Sequence, residues 1–213
     1  MAQRHIIKLM AGFKRFREVY FAEKHALYDK LSSTGQSPKT LIIGCSDSRV
    51  DPALLSSASP GDLFVIRNVA NLVPPFESSG GFHGVSSAIE FAVVNLKVET
   101  IIVLGHRQCG GIRALVNPEI TAPGSFVRKW MRIAESAKER VLQKYPGASQ
   151  DELCAHCETE AILSSIENLK TFPFVQEAVN DRGLVLMGLY FDLERGELLE
   201  YDPADTTFKP IQV

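Results

Sequence analysis

Two apolar runs of the sequence end in residues that can bind a metal ion. The run "LIIGC" ends in Cys45 and is followed by Asp47 and Arg49, and the run "TIIVLGH" ends in His106 and is followed by Cys109. Two thiolates and one imidazole form a borderline-soft ligand set that suits zinc. Three protein ligands are typical of a catalytic site that keeps one position open. We therefore interpret the two segments as halves of one zinc site.

Asp47 and Arg49 are placed to control the open position of this site. Two thiolates cancel the charge of the zinc ion, so they acidify a bound water less than three neutral histidines would. Asp47 can accept the hydrogen of a zinc-bound hydroxide, and Arg49 can hold that carboxylate in a bidentate pair. Unheld, Asp47 could itself take the fourth zinc position. The simpler alternative is an ion pair that only stabilises the loop.

Strands and helices alternate along the rest of the chain. Five segments are typical of buried strands, namely "TLIIGC", "PGDLFVIRN", "ETIIVLGH", "GLVLMGLYFDL" and "LLEYD". Helical spacing is found in "FREVYFAEKHALYDKL", in "GVSSAIEFAVVNLK" and over residues 125–169, with a break at "YPGASQ". This order predicts an α/β fold with a mainly parallel central sheet, an antiparallel edge strand, flanking helices and an N-terminal helical arm. We expect one domain over residues 1–213, with the arm at 1–34 and an α/β core at 35–213.

This fold would bring the two halves of the site together. In open α/β sheets, ligands bind beyond the carboxyl ends of the strands, where the strand order reverses. Cys45 and His106 each stand at the carboxyl end of a predicted strand. They converge if the two strands are neighbours.

Composition excludes several other classes of protein. A net charge of −2 gives no reason to expect nucleic acid or an anionic membrane as a partner. No segment approaches the roughly 20 apolar residues of a spanning helix, and the charged N-terminus lacks the core of a signal peptide, so we expect a cytoplasmic location. Four cysteines in 213 residues do not make a disulfide scaffold.

The motifs "CSDSR", "PGDLFVIRNVANLVPP" and "GHRQCGG" together resemble the β-class carbonic anhydrases, and the similarity runs from about residue 36 to the closing strands. The resemblance implies one Zn²⁺ per chain on Cys45, His106 and Cys109, with an Asp47–Arg49 dyad beside it. It also implies a lyase, a carbonic anhydrase that reversibly hydrates carbon dioxide to bicarbonate and a proton by attack of zinc-bound hydroxide.

The resemblance extends to the substrate pocket and to the assembly. Gln36 matches a glutamine that contacts substrate across the dimer interface, Phe64 and Val69 match apolar wall positions, and the Gly110 amide stands beside the ligands. At Phe91 the sequence departs from the plant-like pattern, in which a tyrosine is usual, and lacks its hydroxyl. The implied assembly is a homodimer, often paired into tetramers or larger, with N-terminal helices lying across the partner.

Two positions place the chain in the plant-like branch of that family. Another branch has an inhibitory bicarbonate site, which includes a tryptophan three residues before the first zinc cysteine and an arginine. Here Ile42 stands at the tryptophan position, whereas Arg67 matches the arginine. We therefore expect no such inhibition and an open site near neutral pH.

Other readings of the sequence remain open. On the same scaffold, the chain could hydrolyse carbonyl sulfide or carbon disulfide, or it could be a non-catalytic zinc module closed by Asp47. The segment "ELCAHCETE" also suggests a second metal site or a redox pair. On a helix, however, Cys154 and Cys157 share a face and His156 points elsewhere, so we expect these residues only to pack.

Overall fold

The computed structural model describes residues 2–23, 25–78 and 81–212. The chain divides into two compact units, Met1–Ser37 and Pro38–Val213, which are described separately below.

The N-terminal unit is helical. Helix α1 (Ala2–Arg17) continues into a π-helical turn (Glu18–Glu23), and helix α2 (His25–Thr34) follows. Aromatic rings hold these helices together, with the Tyr28 ring centroid 5.6 Å from that of Phe16 and 4.8 Å from that of Phe21. The expected helical arm is therefore present.

The second unit is built on one six-stranded sheet. Its strands are β1 (Thr40–Cys45), β2 (Leu63–Asn68), β3 (Thr100–His106), β4 (Val185–Asp192), β5 (Glu197–Asp202) and β6 (Thr207–Pro210), in the order β2-β1-β3-β4-β5-β6. The first four are parallel, and β5 and β6 are antiparallel. The predicted fold class is confirmed. Strand β6 was not predicted, and it makes the antiparallel edge two strands wide.

Seven α-helices connect and cover the strands in the described part of this unit. They are α3 (Pro52–Ser56), α4 (Gly84–Glu90), α5 (Gly110–Val116), α6 (Phe126–Met131), α7 (Glu135–Lys144), α8 (Gln150–Leu169) and α9 (Pro173–Arg182). Helix α4 continues into a π-helical turn (Phe91–Asn95), which belongs to the segment predicted as helical. Among the described residues, no helix combines the length and the apolar character needed to cross a bilayer.

Helix α8 packs closely on the middle of the sheet. A Cβ atom built on Gly105 of β3 would lie 2.7 Å from Cδ1 of Ile162, and one on Gly188 of β4 would lie 2.9 Å from Cγ2 of the same residue. Such distances are too short for a real Cβ, so glycine is required at both positions for this approach. The helix is thereby held against the strand that ends in His106.

Candidate active site

Neighbouring strands deliver the predicted ligands to one edge of the sheet. Strands β1 and β3 are hydrogen-bonded neighbours, with Gly44 opposite Leu104. Cys45 ends β1, His106 ends β3, and Cys109 precedes the first residue of α5. All three side chains are buried, with 5%, 1% and 2% of the residue surface exposed, respectively. The convergence expected from the strand order is confirmed.

The three ligand atoms lie close enough to hold one ion. They are within 4.8 Å of one another, and among the described residues this is the one group of three or more potential metal ligands. The two sulfurs are 4.0 Å apart. Two sulfurs bound to one tetrahedral zinc ion at about 2.3 Å lie roughly 3.8 Å apart, so the spacing fits this metal.

The His106 ring is oriented for metal binding. Its Nδ1 donates a hydrogen bond to the Arg107 carbonyl at 2.8 Å, which leaves the lone pair on Nε2. Nε2 is buried and has no hydrogen-bond partner. A buried polar atom without a partner is costly, and a bound cation would remove that cost. The residues present therefore fit zinc.

The two thiols are electronically coupled. A hydrogen bond from Cys109 lowers the pKa of Cys45 to about 4, although burial opposes this shift. The same hydrogen bond and burial raise the pKa of Cys109, whereas the amides of Ile112 and Gly111 at the start of α5 oppose the rise. The pair thus favours one shared proton, which a divalent cation would displace to neutralise both thiolates.

The turn from His106 to Cys109 depends on unusual backbone. Gln108 has a left-handed φ of 59°, which reverses the chain between the two ligands. Behind Cys109, a Cβ on Gly111 would lie 2.7 Å from Cγ1 of Val69 and 2.9 Å from Cβ of Ala70. Glycine at this position therefore lets α5 approach the segment that follows β2.

Asp47 and Arg49 form the predicted pair. The Arg49 guanidinium donates from Nε to Oδ1 of Asp47 at 2.9 Å and from Nη2 to Oδ2 at 2.7 Å. These hydrogen bonds hold the pKa of Asp47 well below its usual range. Oδ2 lies 4.0 Å from Nε2 of His106, so the carboxylate stands beside the ligand cluster while Arg49 holds it.

Arg67 ties the loop after β1 to the sheet. Its guanidinium donates to the carbonyls of Cys45 at 2.9 Å and Asp47 at 2.7 Å, and to the Asp51 carboxylate at 2.7 Å. The arginine therefore has an intramolecular role in this chain. Ile42, at the tryptophan position of the other branch, is buried in β1 among apolar side chains.

A side-chain clamp fixes the segment that follows β2. Ala70 and Asn71 both have left-handed φ values, 64° and 49°. The Asn68 side chain accepts a hydrogen bond from the Leu72 amide and donates one to the Leu72 carbonyl, each at 2.8 Å. It thus bridges the two strained residues. This segment also carries Val69, whose carbonyl accepts a hydrogen bond from Trp130 Nε1 at 2.8 Å.

The predicted pocket residues are distributed over both units. Gln36 is exposed and belongs to the N-terminal unit. Gly110 follows Cys109 directly and is exposed at the start of α5. Val69 lines an open, mostly apolar groove of about 490 Å³ together with Val85, Trp130 and other side chains.

Phe64 and Phe91 lie together but away from the ligands of their own chain. Their ring centroids are 5.9 Å apart, and Phe91 is 43% exposed. Phe64 stands opposite Leu41, whereas Cys45 stands opposite Asn68. Four residues of strand correspond to roughly 13 Å, so in a single chain this aromatic pair does not line the metal site.

The cysteines of "ELCAHCETE" do not form a second site. Cys154 and Cys157 are free and buried in α8, and burial raises the pKa of Cys157 to about 12. The His156 ring stacks on Tyr145 with a centroid separation of 3.7 Å. The expectation that these residues pack is supported by this burial and stacking.

Sequence reasoning missed Glu158, which is 2% exposed and accepts a hydrogen bond from the Cys109 amide at 3.0 Å. Its helical spacing from Cys154, Ala161 and Ser165, which are all buried on α8, was a usable signal. A glutamate on the buried face of a helix requires partners.

Comparison with known proteins agrees with this site. The family model described as carbonic anhydrase matches residues 40–198. A carbonic anhydrase of Synechococcus elongatus is 37% identical over 194 residues, which cover 91% of this chain and 70% of that protein. The structure of the β-carbonic anhydrase CcaA matches with a TM-score of 0.91 at 36% identity, covering 99% of this chain and 93% of that one.

A further match is to a structure from a study of two tetrameric β-carbonic anhydrases of the ascomycete Sordaria macrospora. It has a TM-score of 0.79 at 27% identity and covers 93% of this chain and 96% of that one. The fold, the ligand cluster and these similarities agree, and the chain belongs to the β-class carbonic anhydrases, a family of lyases.

Proposed function

We propose that this chain holds one zinc ion on Cys45 Sγ, His106 Nε2 and Cys109 Sγ and reversibly hydrates carbon dioxide to bicarbonate and a proton. Membership of the family supports the reaction. The observation that carries the metal assignment is the buried Nε2 of His106, which has no partner and lies within 4.8 Å of both sulfurs.

The residues around the ligands have separate roles in this proposal. Bound there, zinc supplies the positive charge that ionises a water molecule near neutral pH. Asp47 accepts the remaining hydrogen of the attacking oxygen and thereby directs its lone pair at carbon dioxide. Arg49 keeps Asp47 in that role, because both carboxylate oxygens are engaged by the guanidinium.

Substrate binding is assigned to Gln36, Phe64, Val69, Phe91 and Gly110. A small apolar substrate suits apolar walls with one or two hydrogen-bond donors. The Gly110 amide adjoins the ligands of its own chain. Since Phe64 and Phe91 stand about four strand residues from Cys45, we assign them, with Gln36, to the site of a second copy.

The working unit is accordingly a homodimer, with tetramers or larger assemblies as further states. Helix α1 exposes the apolar side chains of Ile6, Leu9, Met10 and Phe13, which the N-terminal arm would cover by lying across a partner. The similar Sordaria macrospora proteins are tetrameric. Size-exclusion chromatography with light scattering tests the assembly, and a monomer at micromolar concentration would contradict it. A cytoplasmic location stays a prediction.

The held position of Asp47 favours an open catalytic site over a closed zinc module. Carbonyl sulfide and carbon disulfide hydrolysis would use the same residues, so turnover on the three gases separates these activities. Ile42 supports the branch without bicarbonate inhibition, and a rate unaffected by added bicarbonate beyond product inhibition is expected.

The test of the proposed function is stopped-flow carbon dioxide hydration on protein of measured zinc content. We expect one zinc per chain and a rate that rises with pH from neutral to alkaline. A flat profile, with product release not limiting, would contradict the mechanism. Cys109→Ser should lose zinc affinity, and full zinc occupancy in that variant would refute the ligand assignment.

A further inference from the structure

A buried carboxylate lies directly behind the candidate zinc site. Glu158 is on α8 and only 2% of its surface is exposed. Oε1 accepts a hydrogen bond from the backbone amide of Cys109 at 3.0 Å. Oε2 accepts one from the Tyr190 hydroxyl at 2.8 Å. The two oxygens thus join the metal-binding loop to β4 through one side chain of α8.

A carboxylate in this position is costly unless it is well partnered. Burial raises the pKa of Glu158, whereas the hydrogen bonds from Tyr190 and the Cys109 amide oppose that rise. Nη1 of Arg107 lies 3.7 Å from Oε2 and supplies a positive charge at the same place. A buried ion pair of this kind often stabilises a fold no better than apolar packing would. Its presence behind a metal ligand therefore suggests a role in the site.

The group that Glu158 holds is the peptide between Gln108 and Cys109. The N–H of this peptide donates to Glu158, and its carbonyl accepts a hydrogen bond from Nη2 of Arg49 at 3.2 Å. The peptide is planar, so fixing both ends fixes its orientation. Gln108 has the left-handed φ of 59°, which is unfavourable for a side chain and needs support from its surroundings.

This peptide connects the two functional parts of the site. On one side it leads directly to the Cys109 ligand, and on the other it contacts the same Arg49 nitrogen that binds Oδ2 of Asp47. A rotation of the peptide would therefore move the Cys109 sulfur relative to Cys45 and would also disturb the support of Asp47. Hydrogen bonds outside the ligand set are known to tune metal affinity in this way.

We propose that Glu158 is a positioning residue for the metal centre, which acts by accepting the Cys109 amide and holding the Gln108–Cys109 peptide in the orientation that zinc binding requires. Tyr190 supports it by fixing the second carboxylate oxygen. This inference rests on the proposed zinc site, but it concerns residues that touch neither the metal nor the substrate.

The experiment compares zinc affinity, measured by competition with a chromophoric chelator, in the full-length wild type and three variants. Glu158→Ala removes the acceptor, Glu158→Gln keeps an acceptor oxygen without the charge, and Tyr190→Phe removes only the support. Leu169→Ala is the control, because this residue is fully buried on the same helix in a different apolar cluster and should lower stability alone. Co²⁺-substituted protein gives a second readout, the thiolate-to-cobalt absorption bands.

We expect Glu158→Ala to weaken zinc binding by about 10- to 100-fold and to shift the cobalt bands. Glu158→Gln should restore affinity to within about 3-fold of the wild type, Tyr190→Phe should show a smaller loss than Glu158→Ala, and Leu169→Ala should change neither readout. The proposal is overturned if Glu158→Ala lowers the unfolding midpoint but leaves affinity and cobalt bands unchanged, or if Glu158→Gln is as defective as Glu158→Ala.

Two further outcomes are informative. If Glu158→Ala does not fold, Tyr190→Phe decides, since unchanged cobalt bands in that variant would overturn the proposal. If the wild type itself binds no zinc, the proposed function fails. That result is distinct from a wild type that binds zinc and variants that bind it equally well.

Discussion

Arg49 binds Asp47 through two parallel hydrogen bonds, from Nε to Oδ1 at 2.9 Å and from Nη2 to Oδ2 at 2.7 Å. The Asp47 side chain is largely covered, at 18% exposure, and the pair has the fork geometry that is strong and specific for arginine. Oδ2 is 4.0 Å from the His106 nitrogen that would bind zinc. The carboxylate is therefore beside the open coordination position but is bound to another partner.

Asp47→Asn tests the catalytic role of this carboxylate. We expect the variant to keep its zinc, because Asp47 is not a ligand in the proposed site, and to lose about 100-fold or more in carbon dioxide hydration, as is typical when a proton-handling group is removed. Zinc content and stopped-flow rates measure the two effects. Asp181→Asn, at an exposed position of α9, is the control. An undiminished rate in Asp47→Asn would remove Asp47 from the chemistry.

Arg49→Ala tests whether Arg49 keeps Asp47 from binding the metal. Without the guanidinium, Asp47 is free to take the fourth position, so we expect retained zinc, reduced turnover and altered absorption of the Co²⁺-substituted protein. The double variant Arg49→Ala/Asp47→Asn should not show the altered absorption, because an amide is a poor zinc ligand. If single and double variants have the same spectrum, Asp47 does not close the site.

The positions of the metal ligands were predictable because they depend on local signals. Apolar runs ending in Cys45 and His106 mark two strand ends, and the parallel arrangement places such ends at one edge of the sheet. The helix that begins after Cys109 was equally visible, since glycines follow it directly. These features need only short stretches of sequence and one rule of topology.

What the sequence did not reveal depends on contacts between distant segments. The Glu158 contact with Cys109 joins residues 49 positions apart, and a glutamate in a polar helix is usually exposed. The left-handed Ala70 carries none of the usual signals, because glycine or asparagine is the common residue there. Strand β6 has four residues and ends in Pro210, which weakens the strand pattern.

Gly111→Ala tests the close approach of α5 to the segment after β2. The added Cβ would lie 2.7 Å from Val69, so we expect a loss of about 1–3 kcal/mol in the free energy of unfolding by denaturant. Gly110→Ala is a matched control for stability, because its added Cβ would meet nothing within 4 Å. Equal stabilities of the two variants would show that the approach is not limiting.

Gly105→Ala tests the packing of α8 on the strand that carries His106. The new Cβ would lie 2.7 Å from Cδ1 and 2.8 Å from Cγ1 of Ile162, which is fully buried, so overpacking should cost about 1–3 kcal/mol of unfolding free energy. Ile162→Ala alone should cost about 2–5 kcal/mol, because it leaves a cavity.

The double variant Gly105→Ala/Ile162→Ala distinguishes direct packing from two independent losses. The smaller residue at 162 makes room for the new methyl group, so the combined loss should be less than the sum of the single losses by about 0.5–3 kcal/mol. Denaturant unfolding of all four proteins closes the cycle. Strict additivity would mean that Ile162 does not limit the space above Gly105, and that the helix reaches this strand through other contacts.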